Sequence, residues 1–78
     1  MPTILYHRGY MFAFFSADQG EPIHIHVAKQ GKSAKLWIDT WEFAKTGKFR
    51  QYELNEIIQI AKDHENEIRK AWNEHFQG

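Results

Sequence analysis

Residues 21–27 read EPIHIHV, and the two histidines of this stretch, His24 and His26, are the side chains best suited to do chemistry. Histidine titrates near neutral pH, and its ring nitrogens are common metal ligands. Spaced two apart in an apolar, β-branched run, both imidazoles fall on one face of a strand. Three uses are open. As acid and base, the pair could cleave a phosphodiester without a metal, with Lys35 stabilising developing charge and Trp37 stacking on a base. As metal ligands they would need at least one more donor. His7, Glu21 and Asp39 are candidates by type, but nothing in the sequence brings them together, and Lys35 beside His26 opposes a dication. No metal-ligand set is therefore assigned, and no cofactor is implied. As the polar side of a small sheet, packed on Trp37 and hydrogen-bonded to turn backbone, the pair would belong to a recognition face, with Trp37, Lys35, Glu21 and Pro22 as its binding residues.

The elements that position these residues divide the chain in two. Gly9 to Phe15 is rich in Tyr and Phe and reads as a strand, followed by turn chemistry in SADQGEP. Ile23 to Lys29 and Ser33 to Asp39 are two more strands, joined at Gln30-Gly31, where glycine accepts the positive φ of a tight hairpin. That turn sets the register. Val27 meets Ala34, Ile25 meets Leu36 and Ile23 meets Ile38 on a wholly apolar face, while His26 meets Lys35 and His24 meets Trp37 on the other. A short edge strand is expected at Trp41–Phe43. Leu54, Ile57, Ile58, Ala61, Ile68, Ala71, Trp72 and Phe76 then form a stripe of period 3.6, which predicts one long helix, kinked if anywhere near Asp63–His64. It should pack on the apolar face and leave the histidines on the opposite one. Its start near Arg50 lacks a Ser, Thr or Asp cap, so its first turn is expected to fray. His64 and His75 lie in the helix, and His75 suits its last turn, where a cation meets the helix dipole.

The 78 residues make one domain, 1–78, β-rich over 1–45 and helical over 51–76. Such a chain buries a small core. It has no cysteine, so neither a disulfide nor a thiolate zinc site holds it together. The N-terminal YMFAFF is too short for a signal peptide, and no stretch approaches a membrane span; a cytoplasmic location is expected. Net charge is zero, which argues against a dedicated nucleic-acid binder. Residues 1–50 nevertheless carry +3 and residues 51–78 carry −3, an asymmetry that can mark an interaction surface.

GYMFAFFSADQGEPIHIHV, AKLWID and the ending AWNEHF together resemble a family of small prokaryotic proteins known as domain of unknown function 4160. The resemblance covers nearly the whole chain. The family's second proline before the first histidine is Ile23 here, and its helix-capping serine is replaced near Arg50. Only Glu21, Pro22, His24, His26 and Val27 carry over as signature residues, and none as catalytic. Family members commonly lie beside small partner genes in arrangements like toxin–antitoxin pairs, which implies a paired regulatory role. The expectation is therefore an α+β domain, a three- to four-stranded antiparallel sheet with a long C-terminal helix on one face. Its expected function is non-enzymatic protein interaction in a toxin–antitoxin-like pair. The alternatives are a ribonuclease toxin using His24 and His26, and a metal-binding module. A protein partner is expected, RNA is less favoured, and the open sheet edge could pair with a second copy.

Overall fold

The computed structural model describes residues 3–15 and 18–77; Ser16 and Ala17, part of the expected turn, lie outside them. It is α+β, with an antiparallel sheet in the order β1-β2-β3-β4-β5. The strands are β1 (Thr3–His7), β2 (Tyr10–Ala13), β3 (His24–Lys29), β4 (Lys32–Trp37) and β5 (Phe43–Lys45), followed by α1 (Gln51–Asp63) and α2 (Glu65–Gln77).

The central hairpin has the expected register. His24 pairs with Trp37, Ile25 with Leu36, His26 with Lys35 and Val27 with Ala34, and the Ile38 N–H donates to the Ile23 carbonyl at 3.1 Å. Gln30 and Gly31 have φ of 49° and 79°, the pair of positive values that a two-residue turn matched to strand twist requires. Three expectations change. The sheet has five strands rather than three or four, because residues 3–7 add β1 through a second turn of the same kind, Arg8-Gly9, with φ of 53° and 83°. The last strand begins at Phe43, since Trp41 sits in a loop with φ of 61°. The helical stripe is carried by two helices, broken at His64, whose φ and ψ of −115° and 22° leave the helical region.

The break keeps the stripe on the core. Leu54, Ile57, Ile60 and Ala61 of α1 and Ile68 of α2 join Phe12, Ile25, Val27, Ala34, Leu36 and Ile38 in one buried cluster. These strand residues share one face, which we call inner. Removing it from water supplies most of the stabilisation available to so small a chain. The start of α1 is held from within the helix rather than by a preceding cap. The Glu53 carboxylate accepts the Arg50 backbone N–H at 2.9 Å and the Lys32 ammonium at 2.8 and 3.0 Å. This is the N3-glutamate half of a capping box, and it also ties the helix to the β3–β4 hairpin. Gly47 is required by close packing, since a Cβ there would collide with the Ser33 carbonyl oxygen.

Candidate functional site

The outer face of the sheet carries both histidines, as alternation requires, but they are not equally presented. His24 is completely buried, whereas the His26 side chain is 27% exposed. The cover comes from two directions. Trp37, directly across the ladder, and Trp72, on α2, stand edge-on to the His24 ring at 5.3 and 5.1 Å between centroids. The β2–β3 connection folds back over the same end of the sheet and inserts Asp18, which is 7% exposed.

Asp18 is locked in place by its own backbone and by Phe15. Its N–H donates to the Phe15 carbonyl at 2.9 Å, and its Oδ2 accepts the Phe15 N–H at 2.8 Å. The carboxylate then faces both imidazoles. His26 Nε2 lies 3.0 Å from Oδ2 and 3.2 Å from Oδ1; His24 Nε2 lies 3.2 Å from Oδ1. Burial pushes the Asp18 carboxyl up, but the hydrogen bonds from the Phe15 N–H and from His26 outweigh it, and the net displacement is below the ordinary aspartate value. On the far side of its ring, His24 Nδ1–H donates to the Pro22 carbonyl at 2.9 Å. A carbonyl can only accept, so this contact fixes the proton on Nδ1 and turns Nε2 toward Asp18. Phe15 closes the His26 side, edge-on at 4.7 Å and itself 40% exposed.

The residues expected to bind a partner are brought together next to this cluster. Lys35 Nζ donates to Glu21 Oε1 at 2.7 Å and lies 4.6 Å from the centre of the Trp37 ring. The Lys35 hydrogen bond lowers the Glu21 carboxyl below its ordinary value. Pro22 enters only through its carbonyl. The third donor beside the histidines is Asp18, which the sequence reading does not single out. His7 stacks near His64 at 5.7 Å, Asp39 accepts from Arg69 at 3.0 Å, and Glu21 approaches only the already bonded Nδ1 of His24, at 4.0 Å. Asp18 sits eight residues from His26 on an irregular loop, where no periodicity marks it; only the reciprocal three-residue spacing with Phe15, a turn pattern open to any Asp, could have suggested it.

The arrangement can do some chemistry and not other chemistry. Two imidazoles and one carboxylate converge, but a fully buried His24 cannot touch a polymer, so an acid–base pair acting on RNA would have to work through His26 with another partner.

A one-sided antiparallel sheet backed by two helices, with an Asp-His-His cluster at one end of its outer face, is thus a small α+β domain presenting a histidine-centred surface. The chain belongs to the family described as Domain of unknown function (DUF4160), which it matches over residues 9–73. No curated protein and no solved structure matches it.

Proposed function

We propose that this protein is a cytoplasmic, non-enzymatic interaction module that forms one half of a toxin–antitoxin-like pair. The observation that carries the reading is the uneven cover of its sheet. The helices pack on the inner face, and on the outer face Trp72 of α2 and Asp18 of the β2–β3 connection close the end that holds His24. The rest of that face carries Tyr6, Met11 and Ala28, with Lys29, Gln30, Gly31, Lys32 and Ser33 bordering them in a shallow depression of about 430 Å³. Tyr6 is 69% exposed. Lys32 is paired with Glu53 and Lys29 lies over the Tyr10 ring, both toward the inner face, so what the depression offers is an apolar, aromatic floor, which suits a folded protein partner whose own surface is apolar at its centre. The Glu21–Lys35–Trp37 cluster lies on the same face and extends it. No helix among the described residues is long and apolar enough to cross a membrane.

The test is direct binding to the protein encoded beside it in its host, with both chains purified. A one-to-one complex, weakened tenfold or more by Trp37→Ala or Tyr6→Ser in a folded chain, supports the reading. Binding that ignores both substitutions moves the interface away from this face. Self-association of the chain alone through the same residues would make the partner a second copy. RNA cleavage by the purified chain, lost in His26→Ala, would replace the reading by the ribonuclease one.

A further inference from the structure

We propose that Asp18, His24 and His26 form a binding site for one divalent transition-metal ion, with zinc as the representative of its class. The proposal is independent of the interaction reading above and can stand or fall alone.

Three observations converge. The first is an orphaned atom. His24 Nε2 is fully buried and has no hydrogen-bond partner; Asp18 Oδ1 is 3.2 Å away but out of line for a ring N–H. With Nδ1 taken by the Pro22 carbonyl, Nε2 is the His24 atom turned to the carboxylate, and no hydrogen bond joins the two. A buried nitrogen left without a partner beside a carboxylate oxygen is unfavourable, and a metal cation between the two satisfies both. The second is convergence. One donor atom from each of the three residues lies within 4.8 Å of the other two. Ligands on a tetrahedral zinc at 2.0–2.1 Å stand roughly 3.3 Å apart, and Asp18 Oδ1 is 3.2 Å from the Nε2 of both His24 and His26, already close to this. The remaining adjustment falls to His26, the more exposed ring. The third is support around the donors. A ligating histidine typically donates its other N–H to a carbonyl or carboxylate, which orients the ring; His24 does so to Pro22, and Asp18 is fixed by the Phe15 N–H.

The charge opposing a dication is also disposed of. Lys35 pairs with His26 across the ladder, yet its ammonium is turned to Glu21 and the Trp37 ring. Two imidazoles and one carboxylate favour borderline first-row divalent ions over magnesium or calcium, which prefer all-oxygen surroundings. Three protein ligands leave a fourth position on the partly exposed His26 side, for solvent or for a donor atom from a partner.

The experiment uses the full chain, stripped with a chelator and dialysed. Zinc is titrated calorimetrically, cobalt is followed by the visible absorption of its tetrahedral complex, and magnesium and calcium serve as controls. One-to-one zinc binding is expected, weakened roughly a hundredfold in Asp18→Asn and in His26→Gln and unchanged in His64→Gln. In the unsubstituted chain, zinc should move the Nε2 nitrogen resonances of His24 and His26 and leave those of His7, His64 and His75 in place. That measurement decides the matter even if a variant fails to fold. No saturable zinc binding, binding indifferent to Asp18→Asn and His26→Gln, or a response centred on the other histidines would each overturn the proposal.

Discussion

Two carboxylates among the described residues are buried, Glu53 at 3% exposure and Asp18 at 7%, and they are used in opposite ways. Glu53 is fully accounted for: one oxygen takes the Arg50 N–H, and both take the Lys32 ammonium. Its partners have no other unmet demand, and its work is to start α1 and hold the hairpin. Asp18 is equally fixed, by Phe15, but it faces two imidazoles, one of which keeps an unpartnered nitrogen. A buried polar group with every bond made is structure; one with a bond missing in a well-ordered setting calls for another explanation, such as a ligand. The contrast is testable from the structural side downward.

The largest effect is expected at Glu53. Glu53→Ala strands the Arg50 N–H and leaves Lys32, whose side chain is only 23% exposed, without its counter-charge. Breaking a largely buried pair in a chain of this size should lower the melting temperature by roughly 10–15 °C. Thermal denaturation followed by circular dichroism measures this, and a fall of less than about 4 °C would mean that Glu53 does not anchor the helix.

His24→Ala comes next. It opens a cavity beneath Trp37 and Trp72 and should lower the melting temperature by roughly 10 °C, whereas His26→Ala, on the exposed side, should cost less than about 5 °C. Equal losses would show that the two rings are equally buried in solution and would remove the asymmetry on which both functional readings draw.

These two sites also differ in how far the sequence reveals them. The Gln30-Gly31 turn and alternation are enough to give the β3–β4 register and to put His24 and His26 on one face, because both rules are local and strict. Arg8-Gly9 is the same turn signature, and it could have exposed β1; the short run before it, with Tyr6 outward and Leu5 inward, offered little hydrophobic contrast to support it. The helical stripe was legible across its whole length, since a break at one residue hardly changes the phase. What was not legible depends on the loop. Asp18 reaches the histidines through a turn with no period, and Trp72 meets His24 through tertiary packing, so the burial of His24 on a face expected to be open follows from contacts no local pattern encodes. The Glu53 cap is hidden for a related reason: a capping side chain is recognised by its type just before a helix, and this carboxylate lies inside the helix.

A third prediction sharpens the comparison through pH. The Arg50 N–H, and then Lys32, hold the folded Glu53 carboxyl below its ordinary value of 4.5. A carboxyl depressed in the folded state stabilises fully above the unfolded pKa, and that contribution is lost as pH falls through the folded one. The melting-temperature gap between the unsubstituted chain and Glu53→Gln should therefore be constant above about pH 5.5 and begin to narrow near 4.5. A gap that widens on acidification would reverse the sign and contradict the assignment.

The smallest expected effect on stability is at Tyr6. Its ring is 69% exposed on the outer face, so Tyr6→Ser should move the melting temperature by no more than roughly 2–4 °C, the range of ordinary surface changes. The same substitution should weaken partner binding tenfold or more, because an exposed aromatic over an apolar floor is a natural anchor. The pairing of these two readouts carries the information. If Tyr6→Ser costs little stability and much affinity, the open half of the outer face serves recognition, while the closed half holds the Asp-His-His cluster. If it destabilises as strongly as His24→Ala, Tyr6 is covered in solution, and this open surface belongs to an assembly of the chain with itself. If it changes neither, the interface lies nearer Trp37, and Trp37→Ala at unchanged fold becomes the deciding measurement. Zinc binding should be indifferent to Tyr6→Ser in all three cases, since Tyr6 contributes no donor to that cluster.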